Sequence, residues 1–204
     1  AAAMDNFAQL NAIDNITLSG KKEKDWYIEA AAKAMQDGKM VYAGKYSEPD
    51  YELILSSSCD LAIENTMIYH SPEVMEKLQA LGIPVLVESS SYEEEPFGRM
   101  EWIKLYAALL DLEDEAASLF DEKMAAVANV LDQQPSGKSV AFFYITSKGA
   151  VNVRKSGDYI AKSIGYAGGD YISFDENDDG SAQSTVNIQM EAFYAKAKDA
   201  DVII

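Results

Sequence analysis

Cysteine and histidine side chains, which often serve as nucleophile and general base, are scarce in this 204-residue chain. Cys59 is the single cysteine and His70 the single histidine, which removes most nucleophile–histidine schemes and any histidine-rich zinc or manganese cluster within this chain. The sequence also lacks a P-loop, a G-x-S-x-G elbow and a G-x-G-x-x-G turn. These observations favour a binding protein over an enzyme.

Two acidic runs are the remaining candidates for metal binding. Glu93–Glu95 could offer hard oxygen ligands to a ferric ion, or could form a solvated charged loop. Residues 175–180 match the first six positions of an EF-hand loop, but Val186 stands at the twelfth position, where a bidentate glutamate is needed. We therefore expect an acidic surface turn at 175–180. The formal net charge of −17 argues against nucleic-acid binding, because phosphate neutralisation needs a basic face.

Arginine and tyrosine side chains are candidates for ligand recognition. Arg99 and Arg154 are the two arginines of the chain, and guanidinium groups bind carboxylate or catecholate oxygens in a bidentate manner. We expect one or both to contact an anionic ligand, although Arg99 has the alternative of pairing with a nearby glutamate and shaping its turn. Four of the 12 tyrosines fall in predicted loops or at strand ends, where a flat ligand could stack or a haem iron be ligated, or where the ring is simply half-buried: Tyr46, Tyr69, Tyr92 and Tyr144.

The elements that must position these residues alternate between helix and strand in the first half of the chain. Such alternation predicts a parallel sheet covered by helices. The predicted helices are Met4–Ile13, Trp26–Gln36, Asp50–Ser56 and Ser71–Leu81, and the predicted strands are Ile16–Leu18, Leu61–Glu64 and Ile83–Glu88.

Two consecutive helices, Gly98–Leu110 and Glu113–Asp132, follow, and the second would run about 30 Å. A second α/β region comes after Pro135. Its predicted strands are Val140–Ile145, Ala150–Val153, Tyr171–Phe174 and Val202–Ile204, and its predicted helices are Tyr159–Tyr166, capped by Asp158, and Gln189–Lys198.

The predicted fold class is therefore α/β, with two Rossmann-like lobes joined by a single long backbone helix. The predicted division is an N-terminal lobe at 1–110, an inter-lobe helix at 111–134 and a C-terminal lobe at 135–204. Ligands of such folds lie at the carboxyl ends of strands, here in a crevice between the lobes. The last predicted strand lies at the end of the chain, so we expect a piece of a longer protein that associates through its uncovered strand edge or is marginally stable.

Five short motifs, in a fixed order, resemble one known family. They are Pro49-Asp-Tyr-Glu52 followed by Cys59-Asp-Leu-Ala-Ile63, Leu81-Gly-Ile-Pro-Val85, Pro96-Phe-Gly-Arg-Met-Glu-Trp-Ile-Lys104, Ala167-Gly-Gly169 and Lys198-Asp-Ala-Asp-Val-Ile-Ile204. In this order they resemble the helical-backbone, class III substrate-binding proteins of ABC importers, which capture iron-siderophores, haem or cobalamin outside the cell. The first strand of lobe one, the end of lobe two and a lipoprotein signal are missing from the resemblance.

The resemblance implies a binding protein without catalysis or cofactor, located outside the cytoplasm as a cell-surface lipoprotein or periplasmic protein. Its partners would be a small metal chelate, most often an iron-siderophore, and the permease of an ABC importer. In the family, one surface glutamate of each lobe docks on the permease, and the matching residues are Glu52 and Glu191. The alternatives are a ligand-sensing domain of a signalling receptor, and an α/β enzyme or cofactor-handling subunit on a similar frame.

Overall fold

The computed structural model describes residues 2–174 and 185–204. The chain divides into two compact units. Unit 1 comprises Ala1–Ser91 and Trp102–Ala117, and unit 2 comprises Tyr92–Glu101 and Ser118–Ile204. Both units combine helices with strands, which confirms the predicted α/β class. The three-part division at 1–110, 111–134 and 135–204 stays a prediction.

The helices and strands of unit 1 are short. Its helices are α1 (Ala2–Gln9), α2 (Glu29–Gln36), α3 (Tyr51–Ser56) and α4 (Pro72–Ala80), and its strands are β1 (Leu18–Ser19), β2 (Val41–Tyr42), β3 (Gly44–Lys45), β4 (Glu48–Pro49), β5 (Ala62–Asn65) and β6 (Val85–Glu88). The helices α5 (Pro96–Ala108) and α6 (Glu113–Leu131) each run from one unit into the other along the chain.

Parallel pairing dominates the strands of unit 1. Strand β1 pairs with β2, and β5 pairs with β6 in a register that places Ala62 beside Val85. Parallel pairing with helices between the paired strands is therefore confirmed for this unit, but the described strands form separate two-stranded pairs where a single parallel sheet is predicted. Strands β3 and β4 form an antiparallel hairpin that starts at Gly44, whose φ is +89°. A Cβ at this position would lie 2.3 Å from the carbonyl oxygen of Glu48, so the hairpin requires glycine.

A cluster of buried aliphatic residues holds the parallel strands of unit 1 against their helices. Helix α4 contributes Val74 and Leu78, and the turn after β5 contributes Ile68, which has no exposed surface. Burial of one such side chain stabilises the folded state by about 1.5–3 kcal/mol. The remaining members of the cluster are Ala43, Ile54 and Ile83.

The described residues of unit 2 form two three-stranded sheets. Its remaining elements are β7 (Lys138–Ala141), β8 (Phe143–Ile145), β9 (Val151–Arg154), α7 (Tyr159–Tyr166), β10 (Gly169–Tyr171), β11 (Thr185–Ile188), α8 (Met190–Ala197) and β12 (Val202–Ile203). The first sheet is parallel, in the order β10-β7-β12, and the second is antiparallel, in the order β11-β9-β8. Phe193 of α8 packs against Phe143 and Phe174, with ring centroids 4.3 and 5.1 Å apart.

The structure corrects the single strand predicted at Val140–Ile145. This apolar run forms two strands, β7 and β8, in different sheets, because β7 pairs with β10 and β12 whereas β8 pairs with β9. The predicted strand at Tyr171–Phe174 is also displaced, since β10 begins at Gly169, beside Lys138 of β7. By contrast, α7 begins and ends at the predicted residues, and Asp158 caps it as predicted, with Oδ1 accepting from the Ile160 amide at 2.9 Å.

One buried hydroxyl in unit 1 generates a stability prediction. The Tyr106 side chain is fully buried, its ring lies 5.5 Å from that of Phe7, and its hydroxyl has no hydrogen-bond partner among the described residues. Burial raises the pKa of Tyr106, and the nearby charge of Glu88 raises it further. An unsatisfied buried hydroxyl costs about 1–3 kcal/mol, so Tyr106→Phe should increase the free energy of unfolding by about 1 kcal/mol.

Tyr171→Phe is the matched control, because the Tyr171 hydroxyl donates to the Arg154 carbonyl oxygen at 2.6 Å. This control should lower the free energy of unfolding by about 1 kcal/mol in the same denaturant titration. If Tyr106→Phe destabilises the protein as much as Tyr171→Phe does, the Tyr106 hydroxyl is satisfied and the prediction is wrong.

Candidate ligand-binding site

The carboxyl ends of the parallel strands are where an α/β fold usually binds its ligand. In unit 1 these ends are Ser19 of β1, Tyr42 of β2, Asn65 of β5 and Glu88 of β6. Each is followed by a turn or loop whose side chains are available for recognition, so the unit-1 part of the candidate site is built from these four positions.

Ser19 fixes the turn that follows β1. Its side chain is almost fully buried, and Oγ donates to the Lys21 carbonyl oxygen at 2.9 Å while accepting from the Lys21 amide at 3.0 Å. The same oxygen accepts from Nε1 of Trp26 at 3.1 Å. One donor and two acceptor positions are all that a hydroxyl offers, so this serine is saturated and holds both the turn and the indole.

Two lysines of this turn lie over aromatic rings. Nζ of Lys21 is 5.1 Å from the ring centroid of Trp26, and Nζ of Lys22 is 5.5 Å from that of Tyr42. Both distances are within the range of a cation–π interaction. None of these four residues is predicted as a site residue from the sequence. The signal that could have found them is the run Lys21-Lys22-Glu-Lys24 followed by Trp26 in a strongly acidic chain.

The turns after β5 and β6 are also fixed by polar side chains. Oδ1 of Asn65 accepts from the Met67 amide at 2.8 Å and begins a 3₁₀ turn at Thr66–His70. This turn exposes Tyr69, at 59%, and His70. After β6, the buried Glu88 accepts from the Ser90 amide at 2.7 Å.

The four predicted tyrosines differ in exposure. Tyr46 lies in the β3–β4 hairpin and is partly buried against the aliphatic cluster of unit 1. Tyr69, Tyr92 and Tyr144 are exposed: Tyr92 follows β6 and belongs to unit 2, and Tyr144 lies in β8. Three of the four rings are therefore available to a ligand, and contact with a ligand stays a prediction for all four.

Arg99 packs within unit 2. Its Nε donates to the Glu93 carbonyl oxygen at 3.0 Å, and its guanidinium carbon lies 3.8 Å above the ring of Tyr159. Gly98 lies against the same turn, and a Cβ there would approach the Glu93 side chain to 2.8 Å, so that side chain would have to shift. Arg99 thus contributes to the shape of the turn through a backbone oxygen, and its contact with a ligand stays a prediction.

The acidic run is fastened to α7 inside unit 2. Oε1 of Glu95 accepts from Nζ of Lys162 at 2.7 Å, and Oε2 accepts from the Tyr166 hydroxyl at 2.7 Å. Glu94 lies 3.6 Å from the same lysine, and Phe97 packs against the Tyr166 ring at 5.1 Å. The hydrogen bonds from Lys162 and Tyr166 lower the pKa of Glu95. We call Tyr92–Glu101 the strap. This segment belongs to unit 2, whereas the residues before and after it in the sequence belong to unit 1.

Arg154 lies at the end of β9, beside the cap of α7. Its terminal nitrogen is 3.4 Å from Oδ2 of Asp158, a carboxylate with almost no exposed surface. The Arg154 side chain keeps 29% of its surface exposed, so it is accessible from solvent. Its ligand contact also stays a prediction.

Glu52 and Glu191, the residues predicted to dock on a permease, are exposed in the first turns of α3 and α8. A carboxylate is favoured there by the positive end of the helix dipole. Asp50 caps α3 by accepting from the Leu53 amide at 3.0 Å, so Glu52 is not needed as the cap.

Within residues 2–174 and 185–204, no group of three or more His, Cys, Asp or Glu side chains could hold a metal ion. The EF-hand-like run at 175–180 lies outside the described residues. Cys59 is half-buried, and burial raises the pKa of its thiol. No helix of the described residues is both long and apolar enough to cross a membrane.

The strap contacts generate a prediction about local opening. Glu95→Gln removes the charge that Lys162 and Tyr166 bind, so hydrogen exchange of the amides at 92–101 should accelerate several-fold. The global free energy of unfolding should change by less than about 1 kcal/mol, because exposed ion pairs are weak. Glu93→Gln is the matched control, since it removes a neighbouring charge and leaves intact the hydrogen bonds that Glu95 accepts.

The same contacts predict a pH dependence. A carboxyl group whose pKa is lowered by folding stabilises the folded form fully above its ordinary value of 4.5, and loses this contribution as the pH falls through its lowered value. Protection of the strap should therefore be constant from pH 7 to about pH 5 and decline below the ordinary range of glutamate. Equal exchange rates for wild type, Glu95→Gln and Glu93→Gln at pH 7 would show that the acids do not hold the strap.

Solved structures of similar fold are substrate-binding proteins. The periplasmic haem-binding protein HutB of Vibrio cholerae matches 99% of this chain and 72% of its own, with a TM-score of 0.73 and 18% identity. The siderophore-binding protein FhuD of Vibrio cholerae, solved with Fe³⁺–Desferal, matches 98% of this chain and 74% of its own, with a TM-score of 0.69 and 12% identity. These similarities confirm the predicted fold class.

A relative by sequence is the uncharacterized lipoprotein MJ0878 of Methanocaldococcus jannaschii, which is 31% identical over 185 residues. The match covers 90% of this chain and 43% of that protein. A second uncharacterized lipoprotein of the same organism, MJ0872, is 28% identical over 96% of this chain and 50% of that protein. The chain thus spans about half the length of the curated relatives that it matches.

A family model described as periplasmic binding protein matches residues 5–204. This match agrees with the resemblance inferred from the five motifs and with the fold of the solved structures. The chain belongs to the periplasmic binding protein family, whose members bind substrates rather than catalyse reactions.

Proposed function

We propose that the chain is the solute-binding component of an ABC importer, which captures a metal chelate and delivers it to the permease. The observation that carries the proposal is the family match over residues 5–204, because periplasmic binding proteins of this family deliver ligands to ABC permeases. Binding proteins carry ligands rather than cofactors, in agreement with the predicted absence of a resident cofactor. The family and the lipoprotein relatives also support the predicted location outside the cytoplasm.

The ligand class is drawn from the solved structures and from the chemistry of the strand ends. HutB binds haem and FhuD binds Fe³⁺–Desferal, so a ferric siderophore is our first choice, with haem and cobalamin as the other members of the class. The carboxyl ends of β1, β2 and β5 carry exposed aromatic and cationic side chains, namely Tyr42, Tyr69, Lys21 and Lys22. Rings and ammonium groups suit a large, oxygen-rich chelate better than a bare cation, which would be repelled by the lysines.

The test is a titration of the full-length protein with ferric siderophores, haem and cobalamins, followed by the fluorescence of Trp26 and Trp102. At least one chelate should bind, whereas free ferric, manganese and zinc ions should not. Arg154→Ala should weaken the binding of an anionic chelate by roughly tenfold or more if its guanidinium makes a charge-assisted hydrogen bond. Arg99→Ala is measured in parallel, and unchanged affinity in both variants would remove the arginines from the site. Binding of free ions alone would contradict the proposed function.

The docking of the permease is tested by charge reversal at its two predicted contacts. In the proposed complex the carboxylates of Glu52 and Glu191 meet arginines of the permease. The double variant Glu52→Arg, Glu191→Arg would place like charges there, so it should abolish the ligand-dependent stimulation of the permease ATPase. Ligand affinity and Tm should be almost unchanged, since both side chains are exposed and exposed charges contribute little to folding.

The matched control reverses two other acids in first turns, Glu29 of α2 and Glu113 of α6, which are also exposed. This control has the same change in net charge and should retain stimulation. Stimulation that survives in Glu52→Arg, Glu191→Arg would mean that the two acids serve only their helices.

A further inference from the structure

A cluster of lysines follows β1 in a chain that is otherwise strongly acidic. Lys21, Lys22 and Lys24 fall within four residues, although the whole chain has 17 basic against 34 acidic residues. Glu23 and Asp25 alternate with them, so residues 21–25 carry three lysines against two acids, and Lys21 and Lys22 are the two adjacent cations of the run. The contacts of these two ammonium groups decide whether they can bind an anion.

Neither Lys21 nor Lys22 forms an ion pair within the part of the chain that the structure describes, and both are exposed. Each instead extends over a ring, Lys21 over Trp26 and Lys22 over Tyr42. Glu23, which lies between them and Lys24, accepts from Nε2 of Gln36 at 2.7 Å. A ring face attracts an ammonium group but leaves its net charge and its N–H donors in place. The two lysines thus remain able to bind an anion.

Hydrogen bonds of Ser19 and the pairing of β1 with β2 position a platform formed by Lys21, Lys22, Trp26 and Tyr42. The hydroxyl of the buried Ser19 bonds to the carbonyl oxygen and the amide of Lys21 and to the indole of Trp26. One side chain thus positions both Lys21 and the ring over which it extends. Tyr42 is the last residue of β2, which pairs with β1 through Ser19. Tyr42 therefore lies at the carboxyl end of β2, and the hydrogen bond from Trp26 to Ser19 places the indole beside the adjacent carboxyl end of β1, where this fold class binds ligands.

We propose that this platform selects anionic chelates with aromatic arms, of which a ferric tris-catecholate is the type. A catecholate ring can stack on Trp26 or Tyr42, and its anionic oxygens can accept hydrogen bonds from Lys21 and Lys22. A cationic hydroxamate chelate has neither the ring nor the negative charge. The inference rests on the proposed function and adds the ligand class to it.

The experiment compares two hexadentate ferric chelates with the full-length protein by equilibrium dialysis. One is a tris-catecholate with a net charge of about −3 and the other is ferrioxamine B, with a net charge of about +1. The tris-catecholate should bind more tightly, and Lys21→Met and Lys22→Met should each weaken it by about tenfold or more. Lys24→Met is the matched control: it removes the same charge from the same turn, does not disturb a ring contact, and should change the affinity by less than about threefold.

Trp26 gives a second readout at the platform itself. In a Trp102→Phe background, Trp26 is the one tryptophan left among the 204 residues of this chain, and the tris-catecholate should quench its fluorescence, measured as the difference from a Trp26→Phe variant, at the same concentration at which dialysis detects binding. Lys21→Met in this background should shift the quenching curve by the same factor as the dialysis curve. Thermal melts of each variant exclude loss of folding as the cause.

The outcomes separate the two proposals. Lysine variants that bind the tris-catecholate as wild type does, or that lose no more than Lys24→Met, would overturn the platform and leave the proposed function standing. Preference for ferrioxamine B would do the same. If neither chelate, nor haem, nor cobalamin binds the wild-type protein, the proposed function itself fails.

Discussion

Parallel pairing of strands is the constraint on which the rest of this structure depends. A parallel partner cannot be reached through a tight hairpin, so the chain must cross back over the sheet between one strand and the next. In unit 1 these crossings contain α2, between β1 and β2, and α4, between β5 and β6. The two helices bury Ala31, Ala34, Val74 and Leu78, which makes the crossings part of the core. Because paired parallel strands run in the same direction, the segments that follow them leave from the same edge of the sheet. The exposed side chains of Tyr42, Tyr69, Lys21 and Lys22 lie at or after these carboxyl ends.

Short polar side chains then determine the shape of these segments. Ser19, Asn65 and Glu88 each lie at the carboxyl end of a strand of unit 1 and accept a hydrogen bond from a backbone amide two residues further along. Asp158 does the same at the start of α7 in unit 2. A turn fixed in this way loses less conformational freedom when a ligand binds, so less of the interaction energy is needed to order it. The polar residues nearest the strand ends are therefore structural, and the residues after them are available for recognition.

The sequence predicts an element best where start and stop signals flank it, and it predicts the two-residue strands badly, for a physical reason. Helix α7 was predicted to the residue because Asp158 supplies a cap and the glycines after Tyr166 supply a stop. Strands β1 to β4 have two residues each, which is too short for an alternating pattern to appear. The run from Val140 to Ile145 is apolar throughout, and hydrophobicity does not reveal that its two halves pair with different strands.

The features of the candidate site likewise divide into those that the sequence could predict and those that it could not. Exposed rings such as Tyr69 could be identified because they follow a recognisable strand, and the exposure of Glu52 and Glu191 follows from their place in a first turn. The contact of Lys22 with Tyr42 could not be identified from the sequence, because α2 separates the two residues along the chain and they meet only through the pairing of β1 with β2. The role of the acidic run was also hidden, since its partners Lys162 and Tyr166 are distant in sequence.

The distribution of charge shows where an anion could bind to so acidic a protein. A net charge of −17 repels anions at long range, so their affinity must come from short-range contacts with particular cations. In unit 2 the cations described above are already engaged: Lys162 with two glutamates, Arg154 with Asp158, and Arg99 with a carbonyl oxygen and a ring. Two glutamates neutralise the charge of Lys162, and Asp158 neutralises that of Arg154 in part. In unit 1, Lys21 and Lys22 meet uncharged rings, which position the ammonium groups without neutralising them. A ligand bound there would replace water on the ammonium groups and would not have to displace a carboxylate.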